Sequence, residues 1–414
     1  MEQQKLKYGS ETAENKNTFV FVVCGSAEHI NTLHFSLRYL KHFSRLPAIM
    51  VTDSRQNEIP VIHNNVIDIN TPEAMSHHQA SIWLKTSLHR LLPEGPQYCY
   101  LDSDVIATGS GCDDIFAQYR PPVTFAPDHC TASWFSPYAV NCGCAEKAEK
   151  DRAETENAIA AVVRHSAYPP DWHHPFTRKV FALLTRIATK PLAHAGALFK
   201  IMLALITGKA HISGGVYLNL RKKQWESGSD SYPFLFAYRK HIRQKSGYRF
   251  SLSKRTWLKP DGSFPQQNRC THLHEKITEK FGLTIPGTDW QHWNGGVFLF
   301  DRNSADFMDE WHRKTMEIFA DNEWKVRDQG TLIATVVSRN LTRHPTLPEE
   351  YNFIADFYKP EIVACHKQPG TFRKGNKIIR PAFVHVYHHF GDNSWDVWKH
   401  IESLLPQQKK EEDR

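Results

Sequence analysis

The chain has 414 residues, of which 41% are hydrophobic and 23% are charged, and its formal net charge is +7. This length suits one large α/β domain with additions, or two domains, and the composition is ordinary for a globular protein. The slight positive charge is compatible with anionic partners. Recognition-helix, zinc-finger and RNA-binding signatures are absent from the sequence, so we expect no nucleic-acid partner.

Residues 1–17 are polar and are predicted to be disordered, and they lack the apolar core of a signal peptide. No stretch reaches about 18 uncharged apolar residues, so no transmembrane helix is predicted. The eight cysteines are scattered, and only Cys142 and Cys144 are close-set, which is too few ligands for a tetrahedral zinc site. We therefore expect mostly reduced thiols and a cytoplasmic location.

The first part of the chain alternates between strand and helix patterns. Apolar runs predict buried strands over 18–24, 47–53, 61–69 and 98–101. Apolar spacing predicts helices over 33–43 and 79–92. This alternation predicts an α/β fold with a doubly wound, mostly parallel sheet, in which ligands bind beyond the carboxyl ends of the strands.

From 131 to 287 the pattern becomes irregular, which predicts a large, mainly helical insertion between 18–130 and 288–400. Residues 177–208 are predicted to be helical with a break at Pro191. The apolar segment 195–206 leaves two interpretations open, an interfacial membrane helix or a buried helix of the insertion.

After the insertion, the predicted core resumes. A strand is predicted over 292–301, helices over 304–320 and from Arg327, and a last strand over 381–387. Residues 401–414 are predicted to be a charged, disordered tail.

Asp102 and Asp104 directly follow the strand predicted at 98–101. Carboxylates two residues apart can both approach one divalent cation, because Mg²⁺ and Mn²⁺ prefer oxygen ligands. Their position at a strand end favours a metal site over a solvated turn. His385 and His388, near the end of the last predicted strand, are candidates for a nitrogen ligand, and the alternative for each is a hydrogen-bonded structural histidine.

Two further motifs contain residue types that suit a binding site. Asn294, Gly295 and Gly296 begin an apolar strand, and glycines there permit either close approach of a ligand or a tight turn. Asp328 and Gln329 begin a helix, where they would bind polar groups of a ligand, or Asp328 would only cap the helix.

Taken in chain order, these motifs resemble glycosyltransferase family 8, which includes glycogenin and the bacterial lipopolysaccharide galactosyl- and glucosyltransferases. The similarity covers about 18–130 and 288–396, and it rests on segments 36–37, 100–104, 294–297, 328–329 and 388–391. It implies the Rossmann-like A-type fold of nucleotide-diphospho-sugar transferases.

The resemblance also implies roles for individual residues. Asp102, Asp104 and His388, with His385 as competitor, would bind Mn²⁺ (or Mg²⁺) under the diphosphate of a uridine diphosphate (UDP) sugar. Asp328 and Gln329 would be the catalytic pair beside the donor sugar. The residues implied to bind the nucleotide sugar are Cys24, Gly25, Ser26, Lys85, Asp102, Ser103, Asn294, Gly295 and Gly296.

The implied reaction is metal-dependent transfer of a hexose, glucose or galactose, from a UDP-sugar donor to a glycan or lipid-linked saccharide acceptor, with retention. Lipopolysaccharide biosynthesis and peripheral contact with the inner face of a membrane through 177–209 would accompany it. Two alternatives stay open: a non-catalytic carbohydrate-binding or scaffold protein on this fold, and a sugar nucleotidyltransferase. The second normally needs a glycine-rich, basic loop after the first strand, but segment 24–29 has one Gly and no Lys or Arg.

Overall fold

The computed structural model describes residues 17–109, 111–164, 175–251, 256–287, 289–356, 363–375 and 377–405. Most of the predicted disordered N-terminus and charged tail therefore lies outside the described residues. The chain divides into two compact units, Met1–Cys142 with Arg269–Arg414, and Gly143–Asn268. The second unit begins later and ends earlier in the sequence than the insertion predicted over 131–287.

The strands are short, and most have apolar sequences. In chain order they are β1 (Thr18–Val22), β2 (Ala48–Thr52), β3 (Val66–Asp68), β4 (Tyr98–Leu101), β5 (Val105–Ala107), β6 (Thr124–Thr131), β7 (Lys209–Ser213), β8 (Val216–Asn219), β9 (Gln224–Ser227), β10 (Asp230–Pro233), β11 (Arg249–Ser251), β12 (Thr256–Leu258), β13 (Gln291–Phe300), β14 (Phe353–Ile354), β15 (Val363–Cys365), β16 (Phe372–Lys374), β17 (Lys377–Ile379) and β18 (Phe383–His385).

The α-helices alternate with these strands. In chain order they are α1 (Ala27–Phe43), α2 (His77–Thr86), α3 (Leu88–Leu91), α4 (Ala132–Ala139), α5 (Cys144–Arg164), α6 (Pro175–Thr189), α7 (Ala195–Thr207), α8 (Leu235–Ser246), α9 (His272–Phe281), α10 (Ala305–Glu317), α11 (Arg327–Ser338) and α12 (Asp396–Glu402).

The main sheet of the first unit has six strands in the order β3-β2-β1-β4-β13-β6. Strands β3, β2, β1 and β4 are parallel, whereas β13 runs antiparallel to both β4 and β6. The predicted α/β fold with a mostly parallel sheet is therefore confirmed. The strand predicted at 61–69 is shorter than expected, because the backbone N–H of Asn65 donates to His63 in a local turn and pairing with β2 begins only at Val66.

Both faces of the main sheet are buried, which explains the continuous apolar runs in its strands. Successive side chains of a strand point to opposite faces. In β1, Phe19 and Phe21 therefore pack in one core cluster and Val20 and Val22 in another. The two cores hold β1 and β4 at the centre of the main sheet, and Asp102 directly follows β4.

A second, three-stranded sheet of the first unit has the order β14-β18-β5. Strand β5 begins three residues after Asp102 and pairs antiparallel with β18, with His385 opposite Val105. Strand β18 therefore ends beside the turn that contains both aspartates.

The second unit has its own small core and consists of four helices, a four-stranded antiparallel sheet of the order β10-β9-β8-β7 and the hairpin β11–β12, among its described residues. The predicted helix break at Pro191 is confirmed, since α6 and α7 are separated there by a 3₁₀ turn, Leu192–His194. The antiparallel sheet was not predicted. No helix within the described ranges is long and apolar enough to cross a bilayer.

Helix α7 is not the buried helix that one of the two interpretations of 195–206 predicted. Ala204 is its one buried residue, whereas Phe199, Met202, Leu205 and Ile206 are 58% to 85% exposed. An apolar helix surface therefore faces the solvent.

Candidate metal-binding site

Asp102, Asp104 and His385 form a group whose ligand atoms all lie within 4.8 Å of one another. The connection between β4 and β5 holds the aspartates, because the Asp102 N–H donates to the Gly296 carbonyl (2.8 Å) and the Ser36 hydroxyl donates to the Ser103 carbonyl (2.6 Å). The predicted metal residues Asp102 and Asp104 are therefore brought together with one of the two predicted histidines. Ser103 contributes its backbone to the same turn.

The structure groups His385, rather than His388, with the aspartates. His385 is the last residue of β18 and pairs with Val105 of β5. The chain turns immediately after it, before His388. The cause of this turn is Asp356, whose carboxylate accepts the backbone N–H groups of residues 387, 388 and 389 at 2.7–2.9 Å. The predicted His388 ligand is therefore three residues beyond the position that meets the aspartates.

The tautomer of His385 follows from its hydrogen bonds. The Gly296 N–H donates to Asn294 Oδ1 (2.9 Å), which also accepts from Asn352 Nδ2 (3.1 Å). Asn352 Oδ1 therefore faces His385 Nδ1 at 2.9 Å, and since a carbonyl oxygen only accepts, Nδ1 bears the proton. Nε2 is then the nitrogen available as a metal ligand.

Two buried atoms of the group fit a bound cation. His385 Nε2 and Asp104 Oδ1 are 3.2 Å apart, yet neither makes a hydrogen bond of good geometry. Burial alone would lower the pKa of His385, but the negative charges of Asp104 and Asp102 outweigh burial and raise it above its usual value. Two carboxylates and one imidazole are a suitable ligand set for Mn²⁺ or Mg²⁺, completed by water or by ligand oxygens.

A buried cation, Lys85, lies beside the group. Its ammonium is 3.3 Å from Asp102 Oδ1 and 3.2 Å from Asp328 Oδ2. Burial alone would lower the pKa of Lys85, but the two carboxylates outweigh burial and raise it, so the side chain stays charged. The Tyr100 hydroxyl donates to Asp102 Oδ1 as well (2.5 Å), and burial followed by the Asp102 charge raises the Tyr100 pKa well above its usual value.

Gly296 of β13 is required by these neighbours, and Gly295 is closely approached by them. A Cβ atom on Gly296 would lie 2.5 Å from His385 Cε1 and 3.0 Å from Asp102 Oδ2. A Cβ atom on Gly295 would lie 3.2 Å from Gln329 Oε1 and 3.4 Å from Lys85 Nζ. The sequence allowed for close approach of a bound ligand to the two glycines. In the structure, the groups that approach them closely are candidate metal ligands, Gln329 and Lys85.

Asn294 and Gln329 are occupied within the protein. Asn294 Nδ2 donates to Asp128 (3.0 Å) and to the Tyr387 hydroxyl (2.9 Å), so with the two bonds to Oδ1 all four of its hydrogen-bonding positions are used. Gln329 accepts the Gly295 N–H (2.9 Å) and donates to the Trp293 carbonyl. Both side chains stabilise β13 through these hydrogen bonds. The sequence instead predicts that they contact the sugar nucleotide.

The residues predicted near the nucleotide lie at the carboxyl end of β1. Gly25 has φ +107°, its N–H donates to Asn57 (3.0 Å), and a Cβ there would lie 2.5 Å from the His77 side chain. The Ser26 hydroxyl caps α1, and burial raises the pKa of the Cys24 thiol to about 11, so that thiol stays protonated. Asn57 and His77 line a cleft of about 840 Å³ with neighbouring residues of 55–58 and 72–78.

Several residues of the site have no predicted role. Tyr100 lies in segment 100–104 and Asn352 within the range 288–396 that the resemblance covers, which is the signal that could have singled them out. Tyr387 lies in the sequence between the two candidate histidines and stacks on the His385 ring with centroids 4.2 Å apart, whereas Asp356 belongs to no motif. Their roles come from contacts between distant parts of the chain.

No protein-family model matches this chain, and no curated protein matches its sequence. Among solved structures, a galactosyltransferase LgtC in complex with donor and acceptor sugar analogs matches 94% of this chain and 98% of its own, with 10% identity and a TM-score of 0.40. Mouse xyloside xylosyltransferase 1 matches 83% of this chain and 89% of its own, with 8% identity and a TM-score of 0.36. Both of these proteins are glycosyltransferases.

We expect Asn352→Ala to weaken Mn²⁺ binding about 10- to 100-fold, because His385 Nδ1 loses the acceptor that fixes its tautomer. The measurement is a Mn²⁺ titration followed by electron paramagnetic resonance, with the melting temperature recorded for each protein. Asn303→Ala is the control, since Asn303 is exposed and its amide bonds only to the turn residue Asp301. If the folded Asn352→Ala protein bound Mn²⁺ as tightly as wild type, Asn352 would not fix the tautomer of a metal-binding His385.

Proposed function

We propose that the chain is a metal-dependent glycosyltransferase of the A-type fold that moves a hexose from a UDP-sugar donor to a saccharide acceptor, with retention of anomeric configuration. The observation on which this rests is the group of Asp102, Asp104 and His385 at the carboxyl end of β4, with two buried ligand atoms that lack a hydrogen bond of good geometry. A cation bound there would neutralise the negative charge that develops on a departing diphosphate.

The protein's own residues provide the remaining parts of the reaction. The Lys85 ammonium is a second positive charge next to the group, and it is aimed by α2 and buried from water. Such a fixed cation stabilises a leaving phosphate more strongly than a solvated one, since the local dielectric is low. Asp328, on the other side of Lys85, provides a carboxylate for the positive charge of an oxocarbenium-like sugar.

Helix α2 connects the two ends of the proposed donor site. His77, at its N-terminus, lines the cleft beside Gly25, and Lys85 lies near its C-terminus, about 12 Å further along the helix axis. The nucleoside would occupy the cleft and the diphosphate the metal group. Because His77 packs over Gly25, and Arg55 is paired with the buried Asp53, the first loop offers no basic cradle for a triphosphate, which speaks against a nucleotidyltransferase.

The first test is a panel of sugar nucleotides with Mn²⁺ or with a chelator, scored by release of free nucleoside diphosphate. We expect Mn²⁺-dependent release from one UDP-sugar and at least a hundredfold loss in Asp102→Asn/Asp104→Asn, since the diphosphate loses its counter-ion. Asp289→Asn, an exposed carboxylate, is the control and should match wild type.

Two results would contradict the proposal. Pyrophosphate formation from a nucleoside triphosphate and a sugar phosphate would indicate a nucleotidyltransferase. Saccharide binding with no release from any sugar nucleotide would indicate a binding or scaffold protein. The anomeric configuration of the product, followed by nuclear magnetic resonance, tests retention separately.

Lys85→Met should lower turnover about a hundredfold or more but leave Mn²⁺ affinity unchanged or higher, because a positive charge competing for Asp102 is removed. Opposite effects on turnover and metal affinity distinguish this role from loss of fold. Lys41→Met, on the exposed side of α1, is the control. Wild-type turnover in Lys85→Met would contradict the role of the lysine.

We also propose that α7 and its flanks contact an anionic membrane surface. The exposed apolar side chains include Leu192 (93%), Ile206 (85%) and Leu205 (72%), which in water is unfavourable unless a partner covers them. Arg186 and Lys190, exposed at the end of α6, add positive charge beside this surface. Apolar side chains flanked by basic ones are typical of helices that lie in the lipid interface.

Co-sedimentation with vesicles containing phosphatidylglycerol tests this contact. We expect binding that weakens with salt and falls at least tenfold in Phe199→Gln/Leu205→Gln/Ile206→Gln, since each side chain would contribute about 1.5 kcal/mol or more on burial. Ile62→Gln is the control, since Ile62 is a 75% exposed isoleucine outside α7 and its flanks. Absence of wild-type binding, or equal binding by the triple variant, would contradict the proposal.

A further inference from the structure

A second group of metal-ligand residues lies in the first unit and shares no residue with the group of the two aspartates. Cys142, Cys270 and His272 place their ligand atoms within 4.8 Å of one another. Cys142 and Cys270 are separated in the sequence by the whole second unit, so no spacing motif reveals the group. We propose that Cys142, Cys270 and His272 provide three of the four ligands of a structural zinc ion.

The distance between the two thiols fits zinc. Cys142 Sγ and Cys270 Sγ are 3.8 Å apart. Two thiolates that bind one zinc ion at about 2.3 Å with tetrahedral angles lie about 3.8 Å apart. A disulfide requires about 2.05 Å, and both cysteines are free thiols in the structure. Sulfur and imidazole ligands together select zinc over the harder Mn²⁺ or Mg²⁺.

The backbone at both cysteines is held by the rest of the first unit. The Cys270 N–H donates to the Ser133 carbonyl (3.0 Å), and Val140, two residues before Cys142, forms a β-bridge with Trp324. A preformed position of this kind lowers the ordering cost of binding an ion.

A neighbouring hydroxyl orients the sulfur of Cys270. The Ser136 hydroxyl oxygen accepts the Leu273 N–H (2.9 Å) and is 3.1 Å from Cys270 Sγ, so its proton is available to the sulfur. Outer hydrogen bonds of this type orient and stabilise metal ligands.

The position of the group indicates a structural role. Cys142 lies where the chain leaves the first unit, and Cys270 and His272 lie where it returns, at the start of α9. Leu273, next to His272, lies 3.6 Å from the position of a Cβ on Gly330, in the first turn of α11. Zinc would therefore fix the start of α9 against α11, whose first turn contains Asp328 and Gln329.

The test begins with the metal content of the full chain, purified with reductant and measured by mass spectrometry of the elements. We expect about one zinc per chain, lost at least tenfold in Cys142→Ser/Cys270→Ser. Cys365→Ser controls for loss of a thiol, and Asp102→Asn/Asp104→Asn should keep its zinc, which separates the two metal groups. The result is independent of whether the chain transfers a sugar.

Cobalt substitution of the wild-type chain keeps the proposal testable if the double variant does not fold. We expect the visible bands of tetrahedral Co²⁺ and a sulfur-to-cobalt band with the intensity of at least two thiolates. Removal of zinc by a chelator should lower the melting temperature by about 5 °C or more. Absence of zinc together with absence of thiolate–cobalt bands would overturn the proposal, as would zinc content unchanged in the double variant.

Discussion

The arrangement of the candidate site depends on the buried amide of Asn294. Its oxygen accepts from Gly296 of its own strand and from Asn352, while its nitrogen donates to Asp128 and Tyr387. A buried amide with every position used has one orientation only, because any flip would leave donors facing donors. Because Asn294 Oδ1 accepts from Asn352 Nδ2, the Asn352 oxygen must face His385 Nδ1. His385 Nε2 is then the ring nitrogen that faces Asp104.

Charge is the second constraint on the site. Lys85 is almost fully buried and lies between Asp102 and Asp328. Removal of one member of a buried ion pair is strongly destabilising. In the intact pair, the free energy of desolvating both charges offsets much of their electrostatic attraction. The group is therefore better suited to orienting charges than to stabilising the fold. The glycines of β13 make this possible, since side chains at 295 and 296 would fill the space where lysine and histidine approach.

The two proposed metal groups use different chemistry in one compact unit. Asp102, Asp104 and His385 lie at the end of β4 and offer mostly oxygen ligands, whereas Cys142, Cys270 and His272 offer sulfur and nitrogen. Helix α11 links them, since its first turn contains Asp328 beside Lys85 and Gly330 near Leu273. Elements of the first unit therefore hold residues beside both groups.

The sequence by itself determined the α/β fold, the central strands and the turn containing Asp102 and Asp104, because buried strands have continuous apolar runs and their ends are marked by polar residues. These are local signals. The choice of His385 over His388, the inward roles of Asn294 and Gln329, the exposure of α7 and the meeting of Cys142 with Cys270 were decided only by the tertiary structure. Each depends on contacts between segments far apart in the chain, such as Asp356 with the backbone after β18, and hydrophobic periodicity contains no information about such pairs.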